Sequence, residues 1–110
     1  MKEMDTPVII DFGTLEGPVF TGRPRGEQLR KKFHVEEFDN TDTQVEVRIP
    51  ESTYSISSSF FLGMFGRSVV LAGSKDQFYK KYHFKSSPLF KGIIDTCVTR
   101  ALQDKNLFAK

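Results

Sequence analysis

Ser55-Ile-Ser-Ser-Ser-Phe-Phe-Leu-Gly-Met-Phe-Gly66 joins a run of hydroxyl side chains directly to a densely apolar segment. Serine oxygens accept the backbone N–H groups that the first turn of a helix leaves without intrahelical partners. The stretch therefore reads as a strand-to-helix turn. Apolar residues continue through Val69, Val70 and Leu71, which predicts a helix over residues 57–72 enclosed on nearly every side. Gly73 is placed to cap its C-terminus. This helix is the expected centre of the core, and its serine end is the expected exposed edge.

Upstream, Val45-Glu-Val-Arg-Ile49 alternates apolar and polar residues before Pro50, the period of a strand with one buried face. Residues 8–12 form a short β-branched run between Pro7 and Gly13, predicting a first strand buried on both faces. Residues 16–20 suggest a brief edge strand, where proline is tolerated. A helix over residues 22–33 has Pro24 in its first turn, Leu29 and Phe33 as its apolar stripe, and Arg30, Lys31 and Lys32 on its wet face. Residues 36–43 read as a polar loop. Downstream, Ser74 opens a short helix to Tyr82, residues 82–85 form a third strand, and Ser87-Pro88 starts a final amphipathic helix to about Leu102.

Strands separated by helical crossovers predict an α/β layer architecture with a mainly parallel sheet. At 110 residues the chain suits one domain, 1–110, with a single core. Eleven Phe and a 27% charged fraction are those of a globular chain, not a disordered one.

Sixteen Lys and Arg against fourteen Asp and Glu leave a net charge of +2, too balanced to demand a polyanionic partner. Cys97 has no intramolecular disulfide partner, and with His34 and His83 it matches no zinc-ligand spacing. Cys97 lies on the apolar stripe of the last helix and reads as a buried hydrophobe. No metal, cofactor or catalytic constellation is expected. The N-terminus carries no leader pattern and no run of about 18 apolar residues occurs, so a cytoplasmic protein without membrane insertion is expected.

With this order of elements, Ile56-Ser-Ser-Ser-Phe-Phe-Leu-Gly-Met-Phe-Gly66 resembles the signature of the STAS-like domains of unknown function, bacterial relatives of the sulphate transporter and anti-sigma factor antagonist domains. Gly22-Arg-Pro-Arg-Gly-Glu-Gln-Leu-Arg30 resembles the helix that precedes the central strand in that family, and the closing helix after Ser87-Pro88 is a third point of likeness. The resemblance implies a STAS-like fold, mainly parallel or mixed in its sheet. It also implies a non-enzymatic regulatory role through protein–protein interaction, with a histidine-kinase-like ATPase or anti-sigma factor as partner. In antagonists of this type the turn reads Asp-Ser-Ser-Gly-Leu-Gly and the serine after the Asp is phosphorylated. Aligned on the paired serines, Ser58 takes the acceptor position and Ser59 the next. Ser57 stands in place of the Asp and Phe60 in place of the Gly.

Ser57, Ser58 and Ser59 are thus the phospho-acceptor candidates, and together with Phe60 the partner contacts. Helix capping accounts for any one of these serines equally well. Binding without phosphorylation stays open. The alternative is a nucleotide- or nucleic-acid-binding module. It would use Arg23, Arg25 and Arg30 of the basic helix as an anion site, with Gly22 and Gly26 allowing close approach, and the 79–85 segment, where Tyr79, Tyr82, His83 and Phe84 interleave with lysines. A solvated helix face and ordinary core packing explain the same patterns. Self-association as a homodimer is compatible with the abundant phenylalanines.

Overall fold

The computed structural model describes residues 7–15, 17 and 19–103. Among the described residues five strands and five α-helices follow one another: β1 (Val8–Asp11), β2 (Val19–Phe20), α1 (Arg23–Lys32), α2 (Val35–Asp39), β3 (Val45–Arg48), β4 (Ser55–Ile56), α3 (Ser58–Ala72), α4 (Lys75–Lys81), β5 (Tyr82–Lys85) and α5 (Pro88–Gln103). The fold is α/β with parallel sheets. β3 lies between β1 and β5, parallel to both, and β2 pairs in parallel with β4 as a separate two-stranded ladder.

Register explains the burial. Val8, Val45 and Tyr82 align in one row and Ile10, Val47 and Phe84 in another. Because side chains alternate across a strand, these six share one face, and it packs on the helices. Ile9, Glu46 and His83 fall on the opposite face with Asp11, Arg48 and Lys85. Ile9 is 44% exposed, so β1 is not buried on both faces as expected. The helices of the described chain cover one side of the sheet only.

α3 is the hub. Phe60, Phe61, Met64, Phe65 and Val69 are buried in one cluster with the inner sheet face and with Ile94, Cys97, Val98 and Ala101 of α5. Gly73 adopts φ 89° and its N–H reaches the Val69 carbonyl at 3.0 Å, ending the helix as expected. Leu71, read as part of the enclosed helix, instead stands 66% exposed, and Leu89 in the first turn of α5 is 70% exposed. α1 crosses α3 at backbone distance. A Cβ on Gly26 would overlap the Phe60 carbonyl oxygen and stand 2.9 Å from Met64 N, and one on Gly63 would overlap the Arg23 carbonyl oxygen. Gly26 is therefore a packing glycine facing α3, not an opening toward a phosphate.

One local reading needs correction. The segment read as a polar loop over residues 36–43 contains α2, entered through His34 in the left-handed region at φ 60°. The edge strand read over residues 16–20 is present at Val19 and Phe20, while Glu16 and Pro18 lie outside the described residues. The caps at Ser74 and Ser87 are present: Ser74 Oγ accepts Gln77 N–H at 3.2 Å and Ser87 Oγ accepts Phe90 N–H at 3.5 Å.

Candidate functional site

β2 and β4 end side by side, and each runs within two residues into a helix. Phe20 leads through Thr21 and Gly22 to α1, and Ile56 leads through Ser57 to α3. Ser57 N–H donates to the Phe20 carbonyl at 2.9 Å, extending the ladder by one bond. Its hydroxyl oxygen then accepts two N–H groups, from Phe60 at 3.1 Å and from Gly22 at 3.3 Å. One oxygen thus serves the N-terminus of α3 and the residue that caps α1. Gly22 holds φ 90°, a conformation glycine adopts freely.

The three serines are in different situations. Ser57 is committed as the shared cap. Ser58, the first residue of α3, is half-buried, and its Oγ accepts from Nη1 of Arg100 on α5 at 3.3 Å. Ser59 is exposed. Phe60 corrects an expectation: it is 1% exposed, with its ring 5.5 Å from Phe20 and 6.0 Å from Phe12. It anchors the turn from inside and offers no surface for a partner.

The arginines of the basic helix point to three separate places. Arg25 donates to the Val19 carbonyl at 3.1 Å and lies 5.0 Å over the Phe20 ring, bracing the end of β2. Arg23 lines a groove between α1, α2 and α3. Arg30, read as part of the wet face and of an anion site, is buried. Its Nη1 donates to the Met64 carbonyl and to Ser68 Oγ, each at 2.9 Å, and its Nη2 to Asp39 Oδ2 at 2.8 Å. Asp39 also accepts from Ser68 Oγ at 2.7 Å and from the Tyr82 hydroxyl. This network joins α1, α2, α3 and β5, and sequence reasoning missed it. The available signal was position: Arg30 lies four residues after Gly26, on the face of α1 that meets α3.

The 79–85 segment turns its aromatics inward. Tyr82 is fully buried, stacked at 5.0 Å on Phe78, and Phe84 packs at 5.6 Å against Phe65. Tyr79 is partly covered and donates to Asp95 at 3.1 Å, beside the Lys75–Asp95 ion pair at 2.9 Å. Burial, with Asp95 adding to it, pushes the Tyr79 phenol well above its ordinary range. Burial and the hydrogen bond to Asp39 do the same to Tyr82. The Lys75 hydrogen bond holds Asp95 below the usual carboxylate range. His34 and His83 are exposed, His83 within 2.8 Å of Gln44 Oε1. Cys97 is buried as expected, and burial raises its thiol pKa, which suits an inert side chain.

Chemically, the turn offers a hydroxyl beside a guanidinium at the positive end of a 15-residue helix. Among the described residues no group of three or more His, Cys, Asp or Glu could hold a metal ion, and no helix is long and apolar enough to cross a membrane. No protein-family model, curated protein or solved structure matches the chain.

Proposed function

We propose that the chain is a non-enzymatic regulatory module of STAS-like type that binds another protein through the α3 turn and is switched by phosphorylation of Ser58. The observation that carries this reading is the 3.3 Å contact between Ser58 Oγ and Arg100 Nη1 at the N-terminus of α3. A phosphate there adds about −1.5 to −2 of charge. The helix end and the guanidinium both favour that charge, so the fold tolerates it while the surface presented to a partner reverses sign. Ser59 is the second acceptor position. Ser57 is disfavoured, because a phosphate would sever the cap it shares between two elements.

The partner on this reading is a histidine-kinase-like ATPase or an anti-sigma factor, met in the cytoplasm. The test is to incubate the protein with ATP and such a kinase and to map the label by mass spectrometry. Phosphate on Ser58 is the expected result. Absence of label from Ser57, Ser58 and Ser59 removes the switch. The alternative of nucleotide or nucleic-acid binding loses residues it relied on, since Arg30 and Tyr82 are buried and bonded to Asp39.

A further inference from the structure

Ile10, Val47 and Phe84 share one row of the inner sheet face, and the first two are fully buried. Phe84, on the edge strand β5, is only partly covered. There the helices leave a cavity of about 280 Å³, lined by Tyr79 of α4, Phe84 of β5, and Lys91, Ile94 and Asp95 of α5. Ile94 is 2% exposed and belongs to the core, while Lys91 is exposed. The cavity therefore runs from a charged rim to apolar walls continuous with the core.

Its two charged residues differ in what they have left to offer. Asp95 is spent: Oδ2 accepts from Lys75 Nζ at 2.9 Å and Oδ1 from the Tyr79 hydroxyl at 3.1 Å. Lys91 lies four residues before Asp95, on the same side of α5. Among the described residues its side chain nevertheless has no hydrogen bond or ion pair. Apolar walls with one uncompensated cation select a ligand with an apolar body and a single negative charge. The volume falls just below the range of about 300–1,000 Å³ that holds drug-sized ligands, so that body is one ring in size. We propose that this cavity binds a small aromatic carboxylate, its ring against Tyr79, Phe84 and Ile94 and its carboxylate on the Lys91 ammonium. The site uses none of the residues of the serine turn and does not rest on the regulatory reading above.

Titration of the full chain with benzoate, followed by amide chemical shifts in NMR, tests it. Saturable shifts centred on Tyr79, Phe84, Lys91, Ile94 and Asp95 are expected, with a dissociation constant on the order of 1 mM for so small a ligand. Benzamide, which keeps the ring and lacks the charge, and acetate, which keeps the charge and lacks the ring, are each expected to bind about fivefold or more weakly. Lys91→Gln, at an exposed position, should weaken benzoate by about the same factor and leave benzamide unchanged. The amide spectrum of the variant establishes that it is folded before it is scored. No saturable shift by about 10 mM benzoate, shifts centred elsewhere, benzamide or acetate binding as well as benzoate, or a Lys91→Gln variant with unchanged benzoate affinity overturns the proposal.

Discussion

The hydroxyl of Ser57 accepts the N–H of Gly22 at 3.3 Å, across 35 positions of sequence, while also accepting Phe60 N–H at 3.1 Å. A single side-chain oxygen therefore fixes the start of α3 against the turn that launches α1. Ser57→Ala removes both acceptances. It is expected to cost about 1–2 kcal/mol, at the upper end for a helix cap, measured by urea denaturation. Ser59→Ala, at an exposed position, is the control and should stay within about 0.5 kcal/mol.

Ser58 and Arg100 form the pair on which the switch depends. Ser58→Asp places a carboxylate at the first position of α3 and is expected to stabilise the fold by about 0.3–1 kcal/mol. Arg100→Ala should remove part of that gain. A double-mutant cycle in low salt checks it. A coupling energy indistinguishable from zero would show that Arg100 does not sense charge at position 58.

Asp39 accepts from Arg30, Ser68 and Tyr82 in the protein interior. Asp39→Ala strands a buried guanidinium and two hydroxyls, and is expected to cost about 3–5 kcal/mol. Thermal or chemical unfolding measures it. If the loss is under about 1 kcal/mol, as for a surface ion pair, the network is not what holds α2 in place.

Gly26 touches the backbone of α3 with nothing between. Gly26→Ala improves helix propensity in isolation, yet here the methyl group meets a carbonyl oxygen and forces α1 outward. A loss of about 1–3 kcal/mol is expected. Gly92→Ala, in α5 with open space around its Cα, should be neutral or slightly stabilising by the same assay.

Tyr79 and Tyr82 both hold their protons more tightly folded than unfolded, chiefly through burial. For a raised pKa the sign is fixed. The contribution to stability is complete below the unfolded tyrosine pKa of about 10 and is lost as pH rises above it. The urea midpoint should therefore fall between about pH 8 and pH 11. Tyr82→Phe should start lower at pH 8, because Asp39 loses a donor, and decline less steeply. An equal decline in both proteins would rule out Tyr82 as a source of the alkaline sensitivity.

Local chemistry written into the chain made much of the fold legible. The Val45, Val47 and Ile49 alternation, the caps at Ser57, Ser74 and Ser87, and Gly73 in a left-handed turn act within a few residues of themselves, and the structure carries each of them. α2 escaped because its apolar content is slight, with Val35 buried and Phe38 half-buried, and because what holds it is the bond from Asp39 to an arginine nine residues earlier. Arg30 escaped because the one local sign of its burial is Gly26, four residues earlier, and that glycine marks the buried face of α1 only once its packing on α3 is known. Phe60 enters the expected partner surface only through the likeness of its turn to that of the antagonists, in which it stands in place of a Gly.

By itself the sequence determined the strand–helix alternation, the parallel layer architecture and the position of the serine turn, because periodicity and capping are short-range and leave a direct trace in residue order. Only the tertiary structure decided which serine is spent as a cap and which meets Arg100. It alone sent Arg23, Arg25 and Arg30 to three different places. Those outcomes depend on the close crossing of α1 and α3 at Gly26 and Gly63, and the distance between two backbones is set by packing among residues far apart in the chain.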